Sequence, residues 1–366
     1  MTWSILDRAV LSSPVMCWRR YPLSYSLLCW GSSTLKGWLS PASRCRQAPH
    51  MFTQAEIDQF HRDGFIVAKG VIQGEELAAL REAADRVMEE GMAGLNEEGH
   101  RYRPNPDGSR TYFRSEFMWD RDPVFQAVTA NPSLLAHYGQ LVGHPFMPIV
   151  DSFVCKIPEG DVPVHWHQDP PFGDPEWPDT HPIPNIDADI YLDHSTVENG
   201  CVWAIPGHHL VGHVEVENYS EEMLFDELGA VPIELGPGDV SFHCLSAPHG
   251  SAGNRTSDLR RTFYVHYMNA EVQKECYGHL GYVQALEKER GLFDARALAA
   301  AQKMIDARVD LGYGGLEGSS VRLMEEGFEF TGEPRTPPRH WGPLIAAMSE
   351  DEIRRKKSLT YLSPAA

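Results

Sequence analysis

The chain has 366 residues, 42% of them apolar and 23% charged, which allows one large globular domain or two small ones. It contains no run of about 18 or more uncharged apolar residues, so no membrane-spanning helix is expected. The formal net charge is −19, split between +5 on the first fifty residues and −24 on the remaining 316; a body that acidic repels phosphate backbones and argues against nucleic acid as a partner.

Residues 1–50 are Ser-rich, contain six Lys or Arg and a single acid, and differ from everything that follows. Such composition fits either a mitochondrial-type transit segment or an upstream extension with Met51 as the working start. Poor helical amphipathicity favours the second reading, so a cytoplasmic location is expected, with a mitochondrial one as the alternative. Order begins at Phe52. Thr53 and Glu56 form a capping box, Phe52 and Ile57 a hydrophobic staple, and Gly64 a stop signal. An extended run, Phe65-Ile66-Val67-Ala68, follows. A second helix is expected over 74–90, with Leu77, Leu80, Ala84 and Val87 on one stripe.

From about 110 to 270, short β-rich runs alternate with Pro, Gly, Asn and Asp clusters. Examples are Ile149–Val154, Ala188–Leu192, Val202–Ile205, Val240–Phe242 and Thr262–Tyr267. This pattern suggests an antiparallel sandwich or barrel. The βαβ rhythm of a nucleotide-binding sheet and any Gly-rich phosphate loop are absent. Beyond 280 the chain turns helical again. Asp294 is placed to cap a helix running to about 308, and Ser349 with Glu352 makes another capping box. The Gly- and Pro-rich stretch between them reads as irregular. The expected organisation is an atypical leader over 1–50, a catalytic body over 51–280, and a helical or irregular extension over 281–366 packed on the core. The seven cysteines include no CxxC pair, which argues against a disulfide framework and against structural zinc.

The densest donor cluster is Val164-His165-Trp166-His167-Gln168-Asp169. On a strand, residues two apart face the same side, so His167 and Asp169 can present an imidazole and a carboxylate to one metal ion. His249, between Pro248 and Gly250, is the best third donor. Two imidazoles and one carboxylate on one face of Fe(II) leave three positions open, two for a 2-oxo acid and one for dioxygen. The far carboxylate of that acid then needs a partner. Arg260 lies eleven residues after His249 across a turn, and its planar fork suits a carboxylate. Ser251 can add a hydroxyl contact. Arg261, next along the strand, faces the other side. His165 reads as a neighbour that orients a ligand or faces substrate. His208, His209, His243 and His266 read as structural or surface residues, Lys156 as solvated, and Phe172, Trp177 and Tyr264 as core or pocket walls.

Several blocks in order now resemble a known family: Phe60-His61-Arg62-Asp63-Gly64-Phe65, Trp166-His167-Gln168-Asp169, Glu198-Asn199-Gly200-Cys201, Pro206-Gly207-His208-His209, Gly238-Asp239-Val240, and His249-Gly250-Ser251 through Arg260. Over roughly 51–270 the chain resembles the phytanoyl-CoA dioxygenase family of Fe(II)/2-oxoglutarate oxygenases. The resemblance implies a mainly β fold, a double-stranded β-helix of jelly-roll or cupin-like type with flanking helices. It implies Fe(II) held by His167, Asp169 and His249, with Arg260 on 2-oxoglutarate and O2 as oxidant. The implied reaction is hydroxylation of a small organic molecule with release of succinate and CO2. In one family branch a small residue replaces the carboxylate and frees a site for chloride; Asp169 is present here, so halogenation is not expected. Two rival readings are a non-catalytic small-molecule-binding β-helix protein and a cupin-like metal enzyme that uses no 2-oxo acid. The acidic body disfavours a CoA ester as substrate.

Overall fold

Side-chain alternation along the strands sorts the chain into two antiparallel sheets that face each other, with helices on the outer face of the larger one. The structure is a computed structural model. It describes residues 50–95, 98–105, 107–158, 160, 162–169, 184–269 and 295–336, and beyond these 344, 347–351 and 353. Residues 1–49 of the leader, Asp294, Glu352, Phe172 and Trp177 lie outside the described residues.

Helix α1 (Gln54–Asp63) starts as expected. Thr53 Oγ1 accepts from the Glu56 amide at 3.3 Å, and Glu56 Oε2 accepts from the Thr53 amide at 2.7 Å. It ends at Gly64, whose φ of 87° is one that glycine adopts at little cost. The next elements are β1 (Phe65–Ala68), α2 (Gly74–Ala93), β2 (His100–Pro104) and β3 (Arg110–Glu116). Three helices then interrupt the strands: α3 (Met118–Arg121), α4 (Pro123–Thr129) and α5 (Pro132–Val142). They correct the all-strand expectation for this region. Val124–Thr129 and Leu134–Val142 are buried throughout, so neither helix has the polar face that would reveal a helical period. Their start signals were nevertheless present: Asp122 and Asn131 cap the two helices, and Pro123 and Pro132 occupy the first turns.

The strands β4 (Phe146–Lys156), β5 (Val164–His167), β6 (Ile186–Tyr191), β7 (Val202–Ala204), β8 (Val231–Ile233), β9 (Val240–Cys244), β10 (His249–Ser251) and β11 (Arg260–Asn269) complete the body. In the larger sheet the order runs β1-β9-β6-β11-β4, and β3 with β2 continues beyond β4. The smaller sheet runs β5-β10-β7-β8. These are the facing sheets of the double-stranded β-helix.

Register decides which residues reach the space between the sheets. Phe263 pairs with Phe153 and Ile190, and all three are buried on the helix side, where Phe125 of α4 meets Phe263 at 5.0 Å between ring centres. The alternate positions Arg260, Thr262 and Tyr264 face the smaller sheet. As expected, Arg261 points the opposite way, into an ion-pair network with Asp193 and Asp85 of α2. Lys156 is not solvated: it is 4% exposed, and its ammonium donates to the carbonyls of Val162 and Ala252.

Beyond 294 the expected helix to about 308 is present, and it is the stretch after it that differs from the irregular reading, by forming a hairpin. Helix α6 (Ala295–Asp310) buries Ala301, Met304 and Ile305 in the main core, and Arg308 reaches Glu76 of α2 and the Ala127 carbonyl. Strands β12 (Val321–Met324) and β13 (Gly327–Phe330) form a hairpin, and Phe328 of β13 pairs with Phe146 of β4. Each strand is four residues long, too short to show a period in the sequence. Among the described residues no helix is long and apolar enough to cross a membrane. Cys155, Cys201 and Cys244 are buried free thiols.

Candidate metal centre

Strands β5 and β10 lie antiparallel with His167 directly opposite His249, and their rings are 4.3 Å apart between centres. Asp169 follows β5 by two residues. Gln168, between His167 and Asp169, is buried and pins the turn: its amide nitrogen donates to the carbonyls of Gly212 and Ser246, and its oxygen accepts from the Val214 amide. The Asp169 amide donates to Leu245 at 2.9 Å. These bonds send Asp169 back toward the two imidazoles. His167 Nε2 lies 3.4 Å from Asp169 Oδ1, and His249 Nε2 lies 3.6 Å from Asp169 Oδ2.

The other ring nitrogens are already used. His167 Nδ1 donates to the His165 carbonyl at 2.8 Å, and His249 Nδ1 donates to the Ala247 carbonyl at 3.0 Å. Each bond selects the tautomer that leaves an Nε2 lone pair directed at the shared space. Donor atoms from all three side chains lie within 4.8 Å of one another. Ligands at right angles around one ion at ordinary metal–N and metal–O lengths stand about 3 Å apart, so the set needs little adjustment to close on a metal. His165 itself is exposed; it contributes its carbonyl, not its ring.

A second group, Asp169, Asp187 and His243, also brings potential donors together. It is the weaker metal site because both nitrogens of His243 are engaged. Nε2 lies 3.1 Å from Asp169 Oδ2 and Nδ1 lies 3.1 Å from Asp189 Oδ2, which suits a doubly protonated ring. Burial opposes that charge, but Asp189 and Asp169 outweigh it and hold the imidazole well above its ordinary pKa. Burial likewise opposes ionisation of Asp169, and His249, His167 and His243 outweigh it, leaving the carboxyl well below its usual range. Burial pushes His249 down to about 3 against the pull of Asp169, so this ring is neutral and ready to ligate.

The centre opens into a cavity of about 440 Å³ that Ser251 and Tyr264 also line. Arg260 lies behind this wall. It is 1% exposed, its Nη2 is 3.3 Å from the Tyr191 hydroxyl, and its guanidinium carbon sits 5.3 Å from the Tyr191 ring centre. Its Nε has no hydrogen-bond partner and, among the described residues, no carboxylate pairs with it. A buried cation so poorly compensated is costly unless an anion joins it, which is the requirement a 2-oxo acid's far carboxylate would meet. The structure thus brings together His167, Asp169, His249 and Ser251 at one cavity, with Arg260 one layer behind.

Sequence reading missed His243, Asp187 and Asp189. They arrive through the pairing of β9 with β6, where His243 is opposite Asp187. The Asp187-x-Asp189 alternation was the one local signal that both acids share a face. It also missed Arg101, Arg103 and Arg114, which the β2–β3 hairpin places on the cavity wall.

Comparison with known proteins gives the family. A family model described as phytanoyl-CoA dioxygenase (PhyH) matches residues 60–262, more than half of the chain. The methylphosphonate hydroxylase of Gimesia maris is 27% identical over 217 residues, covering 59% of this chain and 80% of that protein. Among solved structures, AviO1 from Streptomyces viridochromogenes Tue57 is 25% identical with a TM-score of 0.51, covering 61% of this chain and 97% of that one. EctD from S. alaskensis, solved with 2-oxoglutarate and 5-hydroxyectoine, is 22% identical with a TM-score of 0.51, covering 64% of this chain and 82% of that one. The chain belongs to the phytanoyl-CoA dioxygenase family and is a dioxygenase of the Fe(II)- and 2-oxoglutarate-dependent class.

Proposed function

We propose that His167, Asp169 and His249 hold the iron, that Arg260 with Ser251 binds 2-oxoglutarate, and that the enzyme hydroxylates an unactivated C–H bond of a small organic molecule. The observation that carries this reading is the facing pair of Nε2 lone pairs on His167 and His249 with the Asp169 carboxylate between them. Iron with 2-oxoglutarate and dioxygen supplies the oxidising power, with succinate and CO2 as co-products. The chain's own residues position and insulate. His165 and Ala247 carbonyls fix the ligating tautomers. His243 holds one oxygen of Asp169, so the carboxylate keeps its orientation when the site fills. Arg260 neutralises the far carboxylate of the co-substrate, and Tyr191 holds the guanidinium in place. Apolar side chains of Val154, Val164 and Val202 line the cavity and limit water near the reacting carbon.

Substrate-triggered succinate formation tests this reading. It is lost in His167→Ala and in Asp169→Ala if these residues hold the iron; turnover that survives either change sinks the assignment. A binding protein without turnover would show no succinate at all. A metal enzyme that uses no 2-oxo acid would be indifferent to Arg260→Ala.

A further inference from the structure

The β2–β3 hairpin brings three guanidinium groups to the cavity that holds the metal centre. Arg101 and Arg114 are paired across the two strands, and Arg103 lies two residues along β2. Arg114 is opposite Val154 of β4, the strand whose Ser152 is opposite Tyr264, so it stands on the cavity side of the larger sheet. All three line the cavity. Among the described residues one acid, Glu116, pairs with them: it bonds Arg101 through Oε2 and lies 3.7 Å from Arg114 Nε through Oε1. Arg103 lies with its guanidinium carbon 5.0 Å from the centre of the Phe113 ring, which holds it without neutralising it. The Nε groups of Arg103 and Arg114 are buried and have no hydrogen-bond partner.

In a body that carries −24, acids are plentiful, so two unsatisfied buried arginine donors at one cavity are not an accident of composition. Among the described residues the hairpin's three guanidiniums share one paired carboxylate, a local excess of two positive charges, and Arg114 also acts on Asp187 across the cavity. Asp169, Asp187 and Asp189 line the same cavity beside the metal centre, and Arg114 lies within electrostatic reach of Asp187. A substrate with a compact anionic head is therefore oriented by the cavity itself, its head at the hairpin and its carbon skeleton toward the metal.

We propose that Arg101, Arg103 and Arg114 form an oxyanion subsite for the substrate, and that the substrate is a small organic molecule bearing a dianionic phosphonate or phosphate group. The excess of two charges matches a dianion better than a monoanionic carboxylate, and the forked guanidinium suits adjacent oxyanion oxygens. The proposal rests on the oxygenase reading of the site and deepens it by naming the substrate's head group. The match to a methylphosphonate hydroxylase is consistent with it.

Methylphosphonate is the probe. It is titrated by calorimetry into the metal-free protein, and into the anaerobic protein loaded with Fe(II) and saturating 2-oxoglutarate, with methyl phosphate and acetate as parallel ligands. Saturable binding is expected in both states, without displacement of 2-oxoglutarate, and acetate should bind roughly tenfold more weakly or worse. Arg103→Gln and Arg114→Gln should each weaken methylphosphonate binding roughly tenfold to a hundredfold, and Arg103→Lys should restore part of the loss. Circular dichroism of each variant excludes misfolding, and Arg322→Gln, at an exposed position of the β12–β13 hairpin, serves as the control. Stronger binding of methylphosphonate than of methyl phosphate assigns the head group as a phosphonate, and the reverse order assigns a phosphate ester. The proposal is overturned by no saturable binding to the wild type, by equal binding in both Gln variants, by acetate binding as tightly as the dianions, or by competition with 2-oxoglutarate. If the loaded protein shows no Fe(II)–2-oxoglutarate absorption band, the oxygenase reading fails, while the metal-free titration still decides the subsite.

Discussion

The His243 imidazole reaches the Asp169 carboxylate at 3.1 Å, on the oxygen that also faces His249. This contact ties the carboxylate of the proposed metal site to the larger sheet, because the other nitrogen of His243 is anchored on buried Asp189. The two sheets are thus joined at the centre by a charged hydrogen-bonded bridge, and Asp169 owes its orientation to a residue that does not itself face the metal with a free lone pair. His243→Gln keeps a donor of similar reach but loses the charge. Fe(II) affinity is expected to fall roughly tenfold to a hundredfold, with secondary structure retained. Equilibrium dialysis with Fe(II) under anaerobic conditions measures it; unchanged affinity would make His243 a packing residue only.

Arg260 is fully buried beside Tyr191 with no carboxylate among the described residues to pair with. Arg260→Lys retains the charge and loses the fork, and is expected to raise the 2-oxoglutarate Kd by roughly tenfold to a hundredfold while Fe(II) still binds. A 2-oxoglutarate Kd that does not move would place the co-substrate elsewhere in the cavity.

Asp151 gives the fold a pH dependence independent of the metal. It is 5% exposed, its carboxylate accepts from the Met118 and Trp119 amides at the start of α3, and burial raises its pKa to about 7. The folded state therefore holds a proton that the unfolded chain releases at about 3.9, and stability is highest below that value and declines as pH rises through about 7. The loss amounts to about 4 kcal/mol at most. Asp151→Asn cannot ionise and should escape it, so its stability relative to wild type improves between about pH 4 and pH 8. Urea unfolding with chelator present gives the comparison; parallel curves would refute the assignment.

Phe328 tests whether the segment beyond 294 belongs to the folded body. It is buried in the main core, 6.0 Å from the Phe146 ring. Phe328→Ala should cost roughly 3–5 kcal/mol in a single cooperative transition. A cost below about 1 kcal/mol would mean the hairpin unfolds separately.

Much of this was readable in the chain. The two-residue spacing of His167 and Asp169, a distal His249 and Arg260 eleven residues later are local patterns, and local patterns survive in sequence. So did the capping box of α1 and the opposite facing of Arg260 and Arg261. What was hidden depends on long-range pairing: His243 meets Asp169 only when the two sheets face each other, and the three arginines converge only when β3 pairs with β4. The buried helices α4 and α5 were obscured for another reason, since a helix covered on all sides has no polar face to mark its period.

On the proposed reading His167, Asp169 and His249 hold Fe(II) in a way that lets 2-oxoglutarate chelate it. Anaerobic titration of metal-free protein with Fe(II) and 2-oxoglutarate tests this directly through the weak visible metal-to-ligand charge-transfer band. The band should appear with saturation at one iron per chain and vanish in His249→Ala. Iron that binds without the band, or a band that persists in His249→Ala, would rule out this ligand set.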